Sequence, residues 1–202
     1  MTLKIVLSYE GDLYSFQGDK SKEQKLKAEI RLRRCFHSQL KGFRDEVFKG
    51  TRFDDKKSDY FIPLLADKVD HNFLRYRLDI FIHRPRKNGM PPGVYNSDTD
   101  NLVKWVVDCL KIPDEEKYEK LKKIEISLPS KEKLPEDRCF SAMNDDNRIN
   151  ELNIKVDEYF GVLPQKGDGG ETFSKEHFCK MVLSISIGAI GSTQIGAIEL
   201  GI

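Results

Sequence analysis

The residues best suited to chemistry are carboxylates and lysines at helical spacing. Asp100, Lys104, Asp108 and Lys111 fall at i, i+4, i+8 and i+11, one stripe of a helix. Leu102, Val103, Val106, Val107 and Leu110 fill the core-facing side. On an ordinary surface helix such a stripe is a solvated face, each i,i+4 ion pair contributing ~0.2–0.5 kcal/mol. Three features point further. Asp98 stands two residues ahead of Asp100, and two carboxylates at one helix start repel each other unless a cation or a proton lies between them. The preceding segment carries Arg84, Arg86 and Lys87, side chains suited to a phosphate backbone. A second acidic pair, Asp145-Asp146, directly precedes a predicted strand. Hard cations such as Mg²⁺ need oxygen ligands at near-octahedral angles and keep several waters. Carboxylates from separate elements, completed by water and a phosphate oxygen, meet that demand.

The elements that must position these groups follow from hydrophobic periodicity. Leu3, Ile5, Leu7 and Tyr9 alternate, which predicts a strand, and Gly11 to Lys20 reads as a loop. Ser21 and Gln24 have capping-box spacing, and Leu26, Ile30, Phe36, Leu40, Phe43 and Val47 recur at helical intervals, with a break expected near Gly42. Residues 50–72 carry no assignable pattern. Leu74 to His83 is the clearest strand, with Tyr76, Leu78, Ile80 and Ile82 on one face. Pro85, Gly89, Pro91, Pro92 and Gly93 impose a loop. Ser97, Asp98 and Thr99 are good N-cap types for the helix that carries the stripe, which ends near Lys111, ahead of Pro113. Glu115 to Ile126 predicts an exposed helix or an insertion, and Leu128 to Glu136 a loop. Leu152, Ile154 and Val156 alternate with charged residues in a strand from Ile149, and Met181 to Ile187 form a last strand. Ile-Gly-Ala-Ile occurs at 187–190 and again at 195–198, which reads as an apolar hairpin or an oligomer contact.

Asp98-Thr99-Asp100-Asn101-Leu102-Val103-Lys104, then Asp108 and Leu110, then Asn144-Asp145-Asp146-Asn147-Arg148-Ile149, resembles the signature of the RusA family of Holliday-junction resolvases. That signature is a D-x-D-N-L-x-K helix start, an Asp, and a downstream Asp-Asp opening a strand. The resemblance covers residues 74–112 and 144–158, and more weakly the N-terminal strand and helix. It implies an α+β fold: a single RusA-like domain over residues 1–202 with a mixed β-sheet packed against helices. It implies a metal-dependent endodeoxyribonuclease that hydrolyses opposed strands of four-way DNA as a homodimer. The family's metal-binding carboxylates fall on Asp98, Asp100 and Asp146, and its essential lysine on Lys104. Asn101, Asp108 and Asp145 match motif positions of supporting character. For Asp108 the plainer role is an intrahelical partner of Lys104 or Lys111, and for Asp145 a turn residue. The implied cofactor is Mg²⁺, with Mn²⁺ as a substitute. Three departures stand out. Residues 112–143 intervene where typical members have a short connection, the loop between Arg84 and Asp98 is longer, and the segment from Gly11 to Lys20 lacks the family's Pro-Pro-Ser-Asn-Asn pattern.

Composition narrows the classes without choosing among them. The chain has 202 residues, 39% hydrophobic and 33% charged, with 34 Lys and Arg against 33 Asp and Glu. A neutral sum leaves room for a basic surface around an acidic site, because screening confines charge effects to about 8–10 Å. Arg31-Leu32-Arg33-Arg34 and His83 to Lys87 are the basic stretches. There is no apolar run of about 18 residues and the N-terminus does not read as a signal peptide, so a cytoplasmic chain without membrane partners is expected. Cys35, Cys109, Cys139 and Cys179 show no CxxC spacing, which argues against a zinc module and a disulfide scaffold. The four histidines are scattered and expected to be structural, Trp105 is expected to pack, and no G-x-x-x-x-G-K loop is present. Two alternatives remain open: a branched-DNA-binding protein without cleavage, and a metal-dependent hydrolase of another phosphate ester.

Overall fold

A computed structural model describes residues 2–12, 22–47, 60–65, 74–84, 99–159 and 178–189. In chain order these form β1 (Leu3–Asp12), α1 (Lys22–Val47), β2 (Phe61–Pro63), β3 (Leu74–Arg84), α2 (Thr99–Leu110), α3 (Glu115–Glu125), β4 (Cys139–Ser141), β5 (Ile149–Glu158) and β6 (Phe178–Ala189). The architecture is mixed α+β. A four-stranded sheet has the order β1-β6-β3-β5, and β2 and β4 form a small parallel pair. β6 runs antiparallel to both β1 and β3, whereas β3 and β5 are parallel. A parallel pair needs a crossover connection, and α2 lies within the one between β3 and β5.

Strand alternation is what buries the sheet's inner face. Ile5 and Leu7 on β1, Tyr76, Leu78, Ile80 and Ile82 on β3, and Met181, Leu183, Ile185 and Ile187 on β6 are all buried. They join Leu32, Phe36 and Leu40 of α1 and Leu102, Val103, Trp105, Val106 and Leu110 of α2 in one core. Trp105, 1% exposed, packs as its place on the helix predicted. β1 continues through Gly11, where a loop was expected. A Cβ at Gly11 would lie 2.7 Å from the Tyr9 hydroxyl oxygen, so the tyrosine ring occupies the space a side chain would need. α1 likewise runs unbroken through Gly42, because a single glycine lowers helix propensity by only about 1 kcal/mol and the helix is held by its packed face. Ser21, Ser97 and most of the apolar tail (residues 190–202) lie outside the described residues.

Residues 112–143 are a packed excursion. Its ends are zipped together: the Ala142 and Met143 amides donate to the Leu110 carbonyl at 2.9 and 3.2 Å, and the Ile112 amide donates to the Met143 carbonyl at 3.2 Å. Between them α3 starts at Asp114, whose side chain accepts from the Lys117 amide at 2.7 Å. Leu121, Leu128, Leu134 and Cys139 close over Ile30 and Phe61 in a second core. Tyr118 stacks on Tyr60 and meets Phe61 edge-on. The helix expected over Glu115 to Ile126 is present as α3, mostly exposed, and its buried Leu121 anchors the excursion against Ile30 of α1.

All four cysteines are free thiols. No helix among the described residues is long and apolar enough to cross a membrane.

Candidate active site

The closed ends of the excursion fix where the downstream acidic pair lies. From Met143, which bridges to Lys111, the chain needs only Asn144 to reach Asp145-Asp146. Asp145 caps a 3₁₀ turn over Asp146–Arg148: one carboxylate oxygen accepts from the Asn147 amide and the other from the Asn147 side chain, each at 2.9 Å. The Asn147 amide, with a further hydrogen bond from the Asn147 side chain and the nearby Lys111 charge, holds the Asp145 carboxyl below its usual range. Asp145 is thus a turn residue, the plainer of the two roles its position suggested.

Asp146 meets the acidic stripe of α2. The Lys111 ammonium lies 2.9 Å from Asp146 Oδ2 and 3.0 Å from Asp108 Oδ1, so it bridges carboxylates 38 residues apart in the chain. Burial lowers the affinity of Lys111 for its proton, but the hydrogen bonds to Asp146 and Asp108 outweigh that and hold its pKa above the ordinary value. Asp108 is the i,i+3 partner of Lys111. Lys104 is exposed on α2. Asp100 sits in the first turn, and the helix rises about 12 Å between it and Asp108. Asp146 therefore lies beside the C-terminal half of the stripe. Asp98 and the side chain of Asp100 lie outside the described residues, as do Arg86 and Lys87. Arg84 ends β3 and is buried, 8% exposed, with its carbonyl accepting from the Tyr159 amide at 2.7 Å. Asn101 is half-buried in the first turn of α2. Among the described residues no group of three or more His, Cys, Asp or Glu side chains is placed to hold a metal.

What positions α2 was not foreseen. Arg33, 3% exposed, reaches from α1 to the C-terminal carbonyls of α2. It donates to the carbonyls of Asp108 at 2.6 Å, Cys109 at 3.3 Å and Lys111 at 2.8 Å. A helix C-terminus leaves carbonyls unsatisfied and carries partial negative charge, and a guanidinium answers both. Glu29, 1% exposed, balances the charge: Arg33 binds one oxygen at 3.0 Å and Lys117 of α3 the other at 2.6 Å. Arg31 bonds Glu132 at 2.7 Å. Within the basic stretch at 31–34, Arg33 is thus internal wiring, and Arg31 is tied to Glu132 of the excursion. The i,i+4 spacing of Glu29 and Arg33 was the available signal, but nothing in it marks burial.

Two other features are structural. The His37 Nδ1 accepts from the Phe140 amide at 2.9 Å and its ring stacks on Phe140. Burial, helped by Lys41, lowers its pKa from 6.5 to about 4. Burial also pushes the Cys109 thiol well above its ordinary pKa, so it is a poor nucleophile. Open clefts of about 460 Å³ and about 740 Å³ border the excursion, and neither is lined by the α2 stripe. No protein-family model matches the chain, and no curated protein matches it significantly.

Proposed function

We propose that this chain is a metal-dependent endodeoxyribonuclease that resolves four-way DNA junctions, with a RusA-like fold. The observation that supports the reading best is the Lys111 bridge between Asp108 and Asp146. It sets the downstream acid of the motif against the helix that carries the rest of it, despite 32 intervening residues at 112–143. The hydrogen-bonded ends of the excursion explain how: removing it in thought leaves the short connection that the resemblance calls for. The donor chemistry also fits a cation, since Asp108 and Asp146 already converge on a positive charge, the Lys111 ammonium.

In this reading Asp98, Asp100 and Asp146 would hold Mg²⁺, or Mn²⁺ in its place; since Asp146 stands beside Asp108, about two helical turns from Asp100, a shared ion requires its turn to shift towards the start of α2. Such an ion polarises a phosphoryl oxygen and lowers the pKa of bound water. Lys104, exposed on the same helical stripe, offsets charge that develops on the phosphate during in-line attack. Lys111 holds the Asp146 carboxylate, and Asp145 with Asn147 keeps the turn in place. Arg86 and Lys87 are assigned to the DNA backbone, whereas Arg84, buried at the end of β3, is not available for that contact, and a homodimer presents two such centres to opposed strands.

The test is a labelled four-way junction incubated with Mg²⁺ or Mn²⁺. Symmetric nicks are expected, and Asp100→Asn should stop cutting while binding survives. Tight binding with no cutting under either metal would instead support a branched-DNA-binding protein.

A further inference from the structure

The long helix α1 sorts its charges by face. It carries eight Lys and Arg against four Asp and Glu, although the chain as a whole is near neutral at +1. Between Gln24 and Arg44 its one acid is Glu29, which is 1% exposed and held by Arg33 and Lys117. Lys27, Arg31, Arg34, Ser38 and Lys41 fall at i, i+4, i+7, i+11 and i+14, a single stripe turned away from buried Leu32, Phe36 and Leu40. The stripe is exposed or half-buried throughout and bears no apolar side chain. α3 shows the contrast: its four Glu and four Lys are interspersed, as on an ordinary solvated helix. Two carboxylates reach the stripe. Glu132 occupies Arg31, and Glu23 pairs with Lys27 at 2.7 Å. The side chains of Glu23 and Lys27 are 54% and 31% exposed, so water screens the pair and another anion can replace Glu23. Among the described residues no carboxylate pairs with Arg34 or Lys41.

We infer that this stripe is a track for the backbone of duplex DNA, with Lys27, Arg34 and Lys41 each meeting a phosphate. The three cations recur every seven residues, about 10.5 Å apart along the helix, and span about 21 Å. That is the length of about six nucleotide steps at 3.4 Å each along one strand. A membrane surface fits less well, because a helix lying on lipid buries apolar side chains that this face lacks. The track is also fixed in place. Arg33, next to Arg34, turns inward to the C-terminal carbonyls of α2, so a backbone bound on α1 is held in a set relation to α2.

The choice of DNA as the polyanion rests on the nuclease reading; the segregated charge does not. Filter binding of the full chain to a linear duplex and to a four-way junction, over a range of NaCl concentrations, tests it. Arg34→Gln/Lys41→Gln should weaken binding to both DNAs alike, since phosphate contacts do not read sequence, and should lower the salt slope by about 1 for each lost contact. Lys120→Gln/Lys123→Gln on α3 removes the same charge and should leave the slope nearly unchanged. Thermal melts check that both variants fold. The proposal is overturned by an unchanged slope in the α1 variant, by an equal loss in the α3 variant, or by a wild type that binds polyglutamate through Arg34 and Lys41 but not DNA. Junction cutting assayed in parallel separates the two ideas. A chain that binds DNA through the stripe and never cuts leaves the track and removes the nuclease. A chain that cuts, with the α1 variant binding as wild type does, removes the track alone.

Discussion

His37 shows how one buried base makes stability depend on pH. Its folded pKa, about 4, lies below the unfolded value of 6.5. Between those values the unfolded chain binds more protons, so stability rises with pH there. Stabilisation is complete above pH 6.5 and is lost as pH falls towards 4, a loss of up to about 3 kcal/mol. Protonation would also put a hydrogen on Nδ1, the atom that accepts from the Phe140 amide. Denaturant titrations across this window should show the slope, and His37→Gln should flatten it. A wild type with the same stability at pH 4 and pH 7 would refute the assignment. The Lys111 bridge should behave differently. Its three side chains are 28%, 31% and 42% exposed, so solvent screens the pairs and Lys111→Met should change stability by under about 1 kcal/mol. The stripe itself was legible, because a 3.6-residue period assigns Asp100, Lys104, Asp108 and Lys111 to one face whatever the tertiary fold. That Asp146 meets this face was legible only through the resemblance. No periodicity links residues across a 32-residue excursion.

At the scale of elements, Arg33 is the residue on which the placement of α2 depends. It answers three carbonyls at the helix end and is the buried counter-charge of Glu29. Arg33→Met leaves the carbonyls unmet and Glu29 with Lys117 alone, and should cost about 3–5 kcal/mol in chemical denaturation. A loss below about 0.5 kcal/mol would mean the arginine is effectively at the surface. Arg31-Leu32-Arg33-Arg34 reads as basic surface because charged residues are rarely fully buried. Sequence offers no sign of which arginine will find carbonyls to satisfy it. The core beneath the excursion was hidden for a related reason. Leu121, Leu128 and Leu134 are diluted among Glu and Lys, so its helix reads as solvated although those leucines close a core over Ile30 and Phe61. Leu121→Ala should therefore cost about 2–5 kcal/mol, where an exposed helix would lose almost nothing. For the strands, alternation correctly separated inner from outer faces. It could not say that Leu152 and Ile154 on the inner face of β5 stay 43% and 39% exposed, since periodicity reports a face and not what lies against it.

For the molecule as a whole, the near-neutral charge sum is compatible with either a DNA-binding protein or an enzyme of small phosphate esters, and salt separates the two. Junction binding that neutralises several phosphates should fall linearly in log affinity with log salt concentration. Filter binding over a range of NaCl concentrations should show that steep slope. A flat profile would favour a small phosphate ester as substrate. The central claim is that acids distant in sequence share one divalent ion, and calorimetric titration with Mn²⁺ tests it most directly. The account predicts that Asp146→Asn weakens Mn²⁺ binding at least about tenfold, as Asp100→Asn does, while Asp145→Asn, a change in the turn, has a much smaller effect. Unaltered Mn²⁺ affinity in Asp146→Asn, with the fold intact, would contradict it.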